Sequence, residues 1–144
     1  MDDEIELLLM GQHFKKFQEA AYSNLVGEYG LTLLDIRVLL FLEKHGAENT
    51  AKDIVKIHCF TKSNVSKSIE SLLERGYLQK EYDTQDRRRI HLQIQPAAEP
   101  IIQRAKKEHE EMLRTVFQGI EKSEMEVIRQ VAQKITRNIS EAIK

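Results

Sequence analysis

The sequence predicts a mainly α fold interrupted by one small β-hairpin. Apolar residues recur at helical spacing along most of the chain, and the pattern switches to two-residue alternation only between Tyr77 and Gln95. Thr or Ser followed three residues later by Asp or Glu marks three of the helix starts. At 144 residues and 41% hydrophobic content there is material for one core. No linker, repeat or low-complexity tract divides the chain, so 1–144 reads as a single domain.

The first helix is expected over Ile5–Val26. Leu8, Leu9, Phe14, Phe17, Ala21, Leu25 and Val26 make its apolar stripe, and Gly27 and Gly30 stop it. Thr32 with Asp35 caps a short, mostly buried second helix carrying Leu34, Val38, Leu39 and Leu42. Thr50 with Asp53 opens a third, in which Ala51, Ile54 and Val55 face inward. After a turn over His58–Thr61, a fourth helix runs from about Lys62 to Arg75 with Val65, Ile69, Leu72 and Leu73 on one side, and Gly76 ends it.

Tyr77–Tyr82 and Ile90–Gln95 then alternate as two strands around a polar turn, Asp83–Arg89. Such a hairpin beside a helix-turn-helix is a wing. Pro96 suits a first helical turn, but Pro100 would remove a backbone bond, so the fifth helix is expected to start near Glu99 or to kink. Ser123 and Glu126 read as a capping box for the last helix, whose stripe continues from Val127 to Ala142. The predicted fold is thus a winged helix-turn-helix at 31–95, with long dimerisation helices at 1–30 and 99–144.

The net charge is −1, so any affinity for nucleic acid must come from local charge. Residues 61–91 hold seven Lys/Arg against five acids, whereas residues 1–30 hold six acids against Lys15 and Lys16. No apolar run approaches the roughly 20 residues needed to span a bilayer, and the acidic start is unlike a secretory signal, so a cytoplasmic protein without a membrane partner is expected. The five His residues are scattered without ligand spacing, and no Ser/His/Asp set or phosphate loop emerges. No metal, cofactor or enzymatic activity is therefore expected.

Two features carry chemistry. On the fourth helix, Ser63, Asn64, Lys67, Glu70 and Ser71, flanked by Ser66, lie opposite the apolar stripe. With Thr61 and Lys62 at the helix entry, they form a small, partly cationic surface able to bond base edges and phosphates in a major groove. A solvated helix face would have the same composition. On the wing, Arg87, Arg88 and Arg89 repel one another in free solution, but a narrow minor groove would favour them. Asp86 fits this company as an internal partner that aims an arginine through a bidentate bond.

Four stretches give a resemblance to the MarR family of transcriptional regulators: Leu31-Thr32-Leu33-Leu34, Thr61-Lys62-Ser63-Asn64-Val65, Leu73-Glu74-Arg75-Gly76-Tyr77-Leu78 and Asp86-Arg87-Arg88-Arg89. The resemblance implies a homodimer that binds double-stranded DNA at a pseudo-palindromic operator, usually as a repressor. It assigns Asp86 as the orienting acid and Arg88 as the cation inserted in the minor groove. It also implies a small-molecule effector, expected where the first, second and fifth helices meet, near Phe14, Phe17 and Arg37. A protein-interaction module without its own DNA target is the other reading, and the basic residues Lys62, Lys67 and Arg87–Arg89 count against it.

Three departures from the family pattern stand out. The first helix lacks the reactive cysteine of oxidant-sensing members, and the lone Cys59 reads as a structural thiol. The clustered ligands of zinc-sensing members are missing. Gln95-Pro96-Ala97-Ala98 replaces the usual Thr-Glu-Lys-Gly opening of the fifth helix.

Overall fold

The computed structural model describes residues 11–58 and 61–144, so Leu8, Leu9 and Cys59 lie outside the described residues. The apolar stripe of the first segment forms two helices, α1 (Gln12–Ala21) and α2 (Ser23–Tyr29), where the spacing predicts one. They part at Tyr22, whose φ of −97° and ψ of 4° leave the helical region. The Ser23 hydroxyl donates to Ala20 O at 2.9 Å, bonding locally at the break. Gly27 is carried inside α2, and Gly30 does the stopping: its φ of 63° is left-handed. Both Gly30 N–H and Leu31 N–H go to Val26 O.

The two predicted capping boxes in the centre of the chain form. Thr32 opens α3 (Leu33–Lys44), with its hydroxyl taking Asp35 N–H at 3.1 Å and Asp35 returning a bond to Thr32 N–H at 2.9 Å. Thr50 and Asp53 do the same for α4 (Ala51–His58), each bond at 3.2 Å. A cap of this kind is worth about 1 kcal/mol. Ile54 is buried in α4 and Val55 half-buried, whereas Ala51 is exposed rather than inward.

Helix α5 (Lys62–Glu74) follows, and its end is closed by Tyr77 N–H to Leu72 O and Gly76 N–H to Leu73 O, with Gly76 at φ 76°. Strands β1 (Leu78–Tyr82) and β2 (Ile90–Ile94) pair antiparallel from Leu78↔Ile94 to Tyr82↔Ile90. Pro96–Ala98 make one 3₁₀ turn, and α6 runs over Glu99–Val116, so Pro100 falls in the first turn, where no helical N–H is needed. Helix α7 spans Lys122–Ala142 with Glu121 at its cap and no side-chain bond there. The predicted Ser123–Glu126 box is not formed; Glu126 is taken instead by Arg129 one turn on.

The chain divides into two compact units, residues 1–112 and 113–144. The core of the first joins Tyr22 and Leu25 of α2's entry, Ile36, Leu39 and Leu42 of α3, Ile54 of α4, Val65 and Leu72 of α5, Leu78 and Leu92 of the hairpin, and Ile101 and Ile102 of α6. Each such side chain contributes about 1.5–3 kcal/mol through burial. The second unit carries Val127, Ile128, Val131, Ile135 and Ile139 along α7, all exposed. Among the described residues no helix is long and apolar enough to cross a membrane.

Candidate nucleic-acid interface

Helix α5 is anchored from behind. Val65, Ser68, Ile69 and Leu72 are buried, and α5 packs against α3, α4 and β1. That leaves Thr61, Lys62, Ser63, Asn64, Ser66, Lys67 and Glu70 exposed on the other side, as the spacing predicts. Ser71 is half-buried at the margin. Thr61 caps the helix, its hydroxyl accepting Asn64 N–H at 3.3 Å. The remaining first-turn N–H groups add a partial positive charge at this end.

Nothing in the residue spacing points to the polar tie behind α5. Ser68, on the apolar side of the helix, donates its hydroxyl to Asp35 Oδ1. Asp35 thus caps α3 with one oxygen and holds α5 with the other, and both residues are buried. A polar residue embedded in an apolar stripe is the one sequence signal that marks it.

The wing turn is built from backbone bonds and two aspartates. Asp83 N–H donates to Arg89 O at 3.1 Å, and Arg89 N–H to Asp86 O at 3.0 Å. Asp83 Oδ1 accepts Gln85 N–H at 2.8 Å and Asp86 N–H at 3.2 Å, while Oδ2 lies 3.0 Å from His91 Nε2. The His91 bond first, and then the two backbone donors, hold the Asp83 carboxyl down at about 2.

Asp86 and Arg88 meet as the sequence predicts, but not through a bidentate bond. Asp86 Oδ1 accepts Arg88 N–H at 3.0 Å and stands 3.6 Å from its Nε. The single-oxygen geometry follows from the tight turn: the carboxylate is used on the backbone two residues ahead, and the guanidinium only approaches it. The Arg88 side chain is 94% exposed, so it projects from the tip. Arg87 and Arg89 are exposed beside it. The helix face and the wing tip thus belong to one folded unit and both present cationic groups to solvent.

A cavity of about 620 Å³ lies among α1, α3 and α6, lined by Gln18, Tyr22, Arg37, Phe41, Lys106 and His109 among others. Tyr22 OH is 3.5 Å from His109 Nδ1. Burial pushes the Tyr22 phenol up and the Arg37 guanidinium down from their ordinary values. Of the three residues expected near an effector, Arg37 lines this cavity. Phe14 and Phe17 do not, and both sit exposed on α1. Among the described residues no group of His, Cys, Asp and Glu is placed to hold a metal ion.

Residues 29–89 match the model of the MarR family. The structure is similar to that of the transcriptional regulator PA3341, with a TM-score of 0.81 and 21% identity over 93% of this chain and 97% of that one. It is also similar to S. aureus MepR in complex with DNA, at TM-score 0.78 and 18% identity over 91% and 94% of the two chains. Bordetella bronchiseptica BpsR, whose DNA binding is regulated by 6-hydroxynicotinic acid, matches at TM-score 0.69 and 22% identity over 89% and 90%. At these identities the likeness carries the fold. No curated protein matches the sequence.

Proposed function

We propose, from the match of residues 29–89 to the MarR family, that the protein is a DNA-binding transcriptional regulator acting as a homodimer. The observation that carries the reading is the pairing of an exposed Ser63, Asn64, Ser66 and Lys67 face on α5 with the outward Arg88 of the wing, both within the matched region. Such a helix face fits the major groove, and such an arginine fits the minor groove beside it. The DNA complex solved for S. aureus MepR supports the same partner here.

Dimerisation follows from the exposed apolar residues. Leu113, Val116, Phe117 and Ile120 continue into Val127, Ile128, Val131, Ile135 and Ile139, more apolar surface than a lone small domain leaves in water. A second copy covers such a face by two-fold symmetry. Two-fold proteins read two-fold sites, so the operator is a pseudo-palindrome with half-sites about one helical turn apart. Binding near a promoter then excludes polymerase, which makes repression the simplest outcome.

The cavity beside Arg37 suits a small organic molecule with an acidic group, since Arg37 and His109 line it with Tyr22 and Phe41, while Lys106 is already paired with Glu43. The regulation of BpsR by 6-hydroxynicotinic acid supports a ligand of that class. Such a ligand changes DNA affinity only by binding two spacings of the recognition helices unequally.

Selection of bound duplexes from a random pool tests the function. Enrichment of a pseudo-palindrome is expected, and failure to enrich any motif would leave a protein-interaction module instead.

A further inference from the structure

Asn49, His91 and Asp83 stand in line between the helical core and the tip of the wing. His91 lies on β2, and its two ring nitrogens face oxygens from two different parts of the fold: Nδ1 is 2.5 Å from Asn49 Oδ1, and Nε2 is 3.0 Å from Asp83 Oδ2. Asn49 belongs to the connection between α3 and α4, is only 8% exposed, and also accepts Leu92 N–H on its backbone carbonyl at 2.9 Å. Buried in the connection between two helices, it thus joins the body of the domain to β2.

From His91 the chain of bonds runs outward. Asp83 holds the N–H groups of Gln85 and Asp86, and Asp86 holds the N–H of Arg88. Glu81, the cross-strand partner of His91, takes Gln93 Nε2 at 2.8 Å. A two-stranded hairpin is marginal by itself, so the direction of its tip depends on such ties to the body.

We propose that His91 is a positioning residue for DNA binding: bridging Asn49 to Asp83, it holds the wing turn in the shape that presents Arg88. The inference rests on the DNA-binding reading above and adds residues on which sequence spacing is silent.

The test uses two substitutions that keep a side-chain amide. In His91→Gln the amide reaches the place of Nε2 and can still bond Asp83; in His91→Asn it reaches the place of Nδ1 and can bond only Asn49. Amide hydrogen exchange at Gln85 and Asp86 is measured in the full chain without DNA, and affinity for the selected duplex is measured with and without Arg88→Ala. Exchange at both amides should be at least about tenfold faster in His91→Asn than in His91→Gln, which stays near the native rate. His91→Asn should weaken DNA binding about fivefold, as expected for one lost hydrogen bond, and less than twofold once Arg88 is already alanine.

Asn49→Ala, which cuts the bridge at its inner end without touching the wing, should repeat the His91→Asn affinity pattern. Equal exchange in the two His91 variants overturns the proposal. So does an affinity loss that persists in full without Arg88, because His91 would then serve only the fold. If the native chain binds no duplex, the DNA reading fails and the aiming role falls with it, whereas the amide comparison still decides whether His91 holds the turn.

Discussion

Helix α5 is held in place by burial, whereas the wing turn is held by hydrogen bonds alone. Behind the helix stand Val65, Ile69 and Leu72 with the Ser68–Asp35 bond; behind Arg88 stand Asp86, Asp83 and His91. An apolar anchor fixes where a whole helix sits but is indifferent to small rotations of its surface side chains. A polar chain fixes direction, because hydrogen bonds are angular. The difference matches the two tasks proposed for them, a helix seated in a wide groove and a single arginine aimed at a narrow one. Damage behind the helix should therefore register as lost stability, and damage in the turn as lost DNA affinity in a chain that stays folded.

The largest effect is expected from Leu72→Ala, which removes a fully buried side chain at the back of α5. It should lower unfolding free energy by about 2–5 kcal/mol in a denaturant titration. An effect below 1 kcal/mol would mean that the helix is not core-anchored. Asp35→Ala comes next, since it removes the α3 cap bond and strands the buried Ser68 hydroxyl; about 2 kcal/mol is expected by the same titration. Ser68→Ala in the Asp35→Ala background should recover part of that loss, because both partners are then gone.

Gly30→Ala should cost roughly 1–2 kcal/mol, because φ 63° is left-handed and the new Cβ would sit 3.1 Å from Arg75 Nη2. Arg75 donates its other terminal nitrogen to Tyr29 O at 2.9 Å, so the side chain that must give way is already in use. Thermal melting checks it, and an unchanged midpoint would show that the α2 end relaxes freely.

The wing's share is smaller and depends on pH. Asp83 has its carboxyl lowered to about 2, so its stabilising bonds are complete above the ordinary carboxylate range near 4 and are lost as pH falls through about 2. A carbon-detected NMR titration of Asp83 should therefore show a midpoint near 2, moving up toward 4 in His91→Phe. A native midpoint near 4 would dissolve the bridge.

The same division explains what the sequence makes legible. Helix α5, its exposed face and the hairpin announce themselves through periodicity, and the Thr32/Asp35 and Thr50/Asp53 boxes through local spacing, because the box bonds span only three residues. The break at Tyr22 is not legible from the stripe, since the side chain is committed to the core and to His109, 87 residues away. The Ser123–Glu126 pattern misleads because the helix is already capped at Glu121, which puts Ser123 inside its first turn. His91 looks like one scattered histidine among five until folding brings Asn49, 42 residues distant, to its ring. A long-range polar pair leaves no period, and the tie between the wing and the body is one.

The central claim, that α5 and the wing tip bind DNA in different grooves, is tested most directly by comparing Asn64→Ala and Arg88→Ala on one panel of duplexes over a salt series. Arg88→Ala should weaken binding to most sequences alike and reduce the salt slope by about one unit. Asn64→Ala should leave the slope nearly unchanged and relax preference at one base position, at a cost of about 1–3 kcal/mol there. If both variants shift the slope equally and leave base preference intact, or if neither alters binding, the division of labour between helix and wing is contradicted.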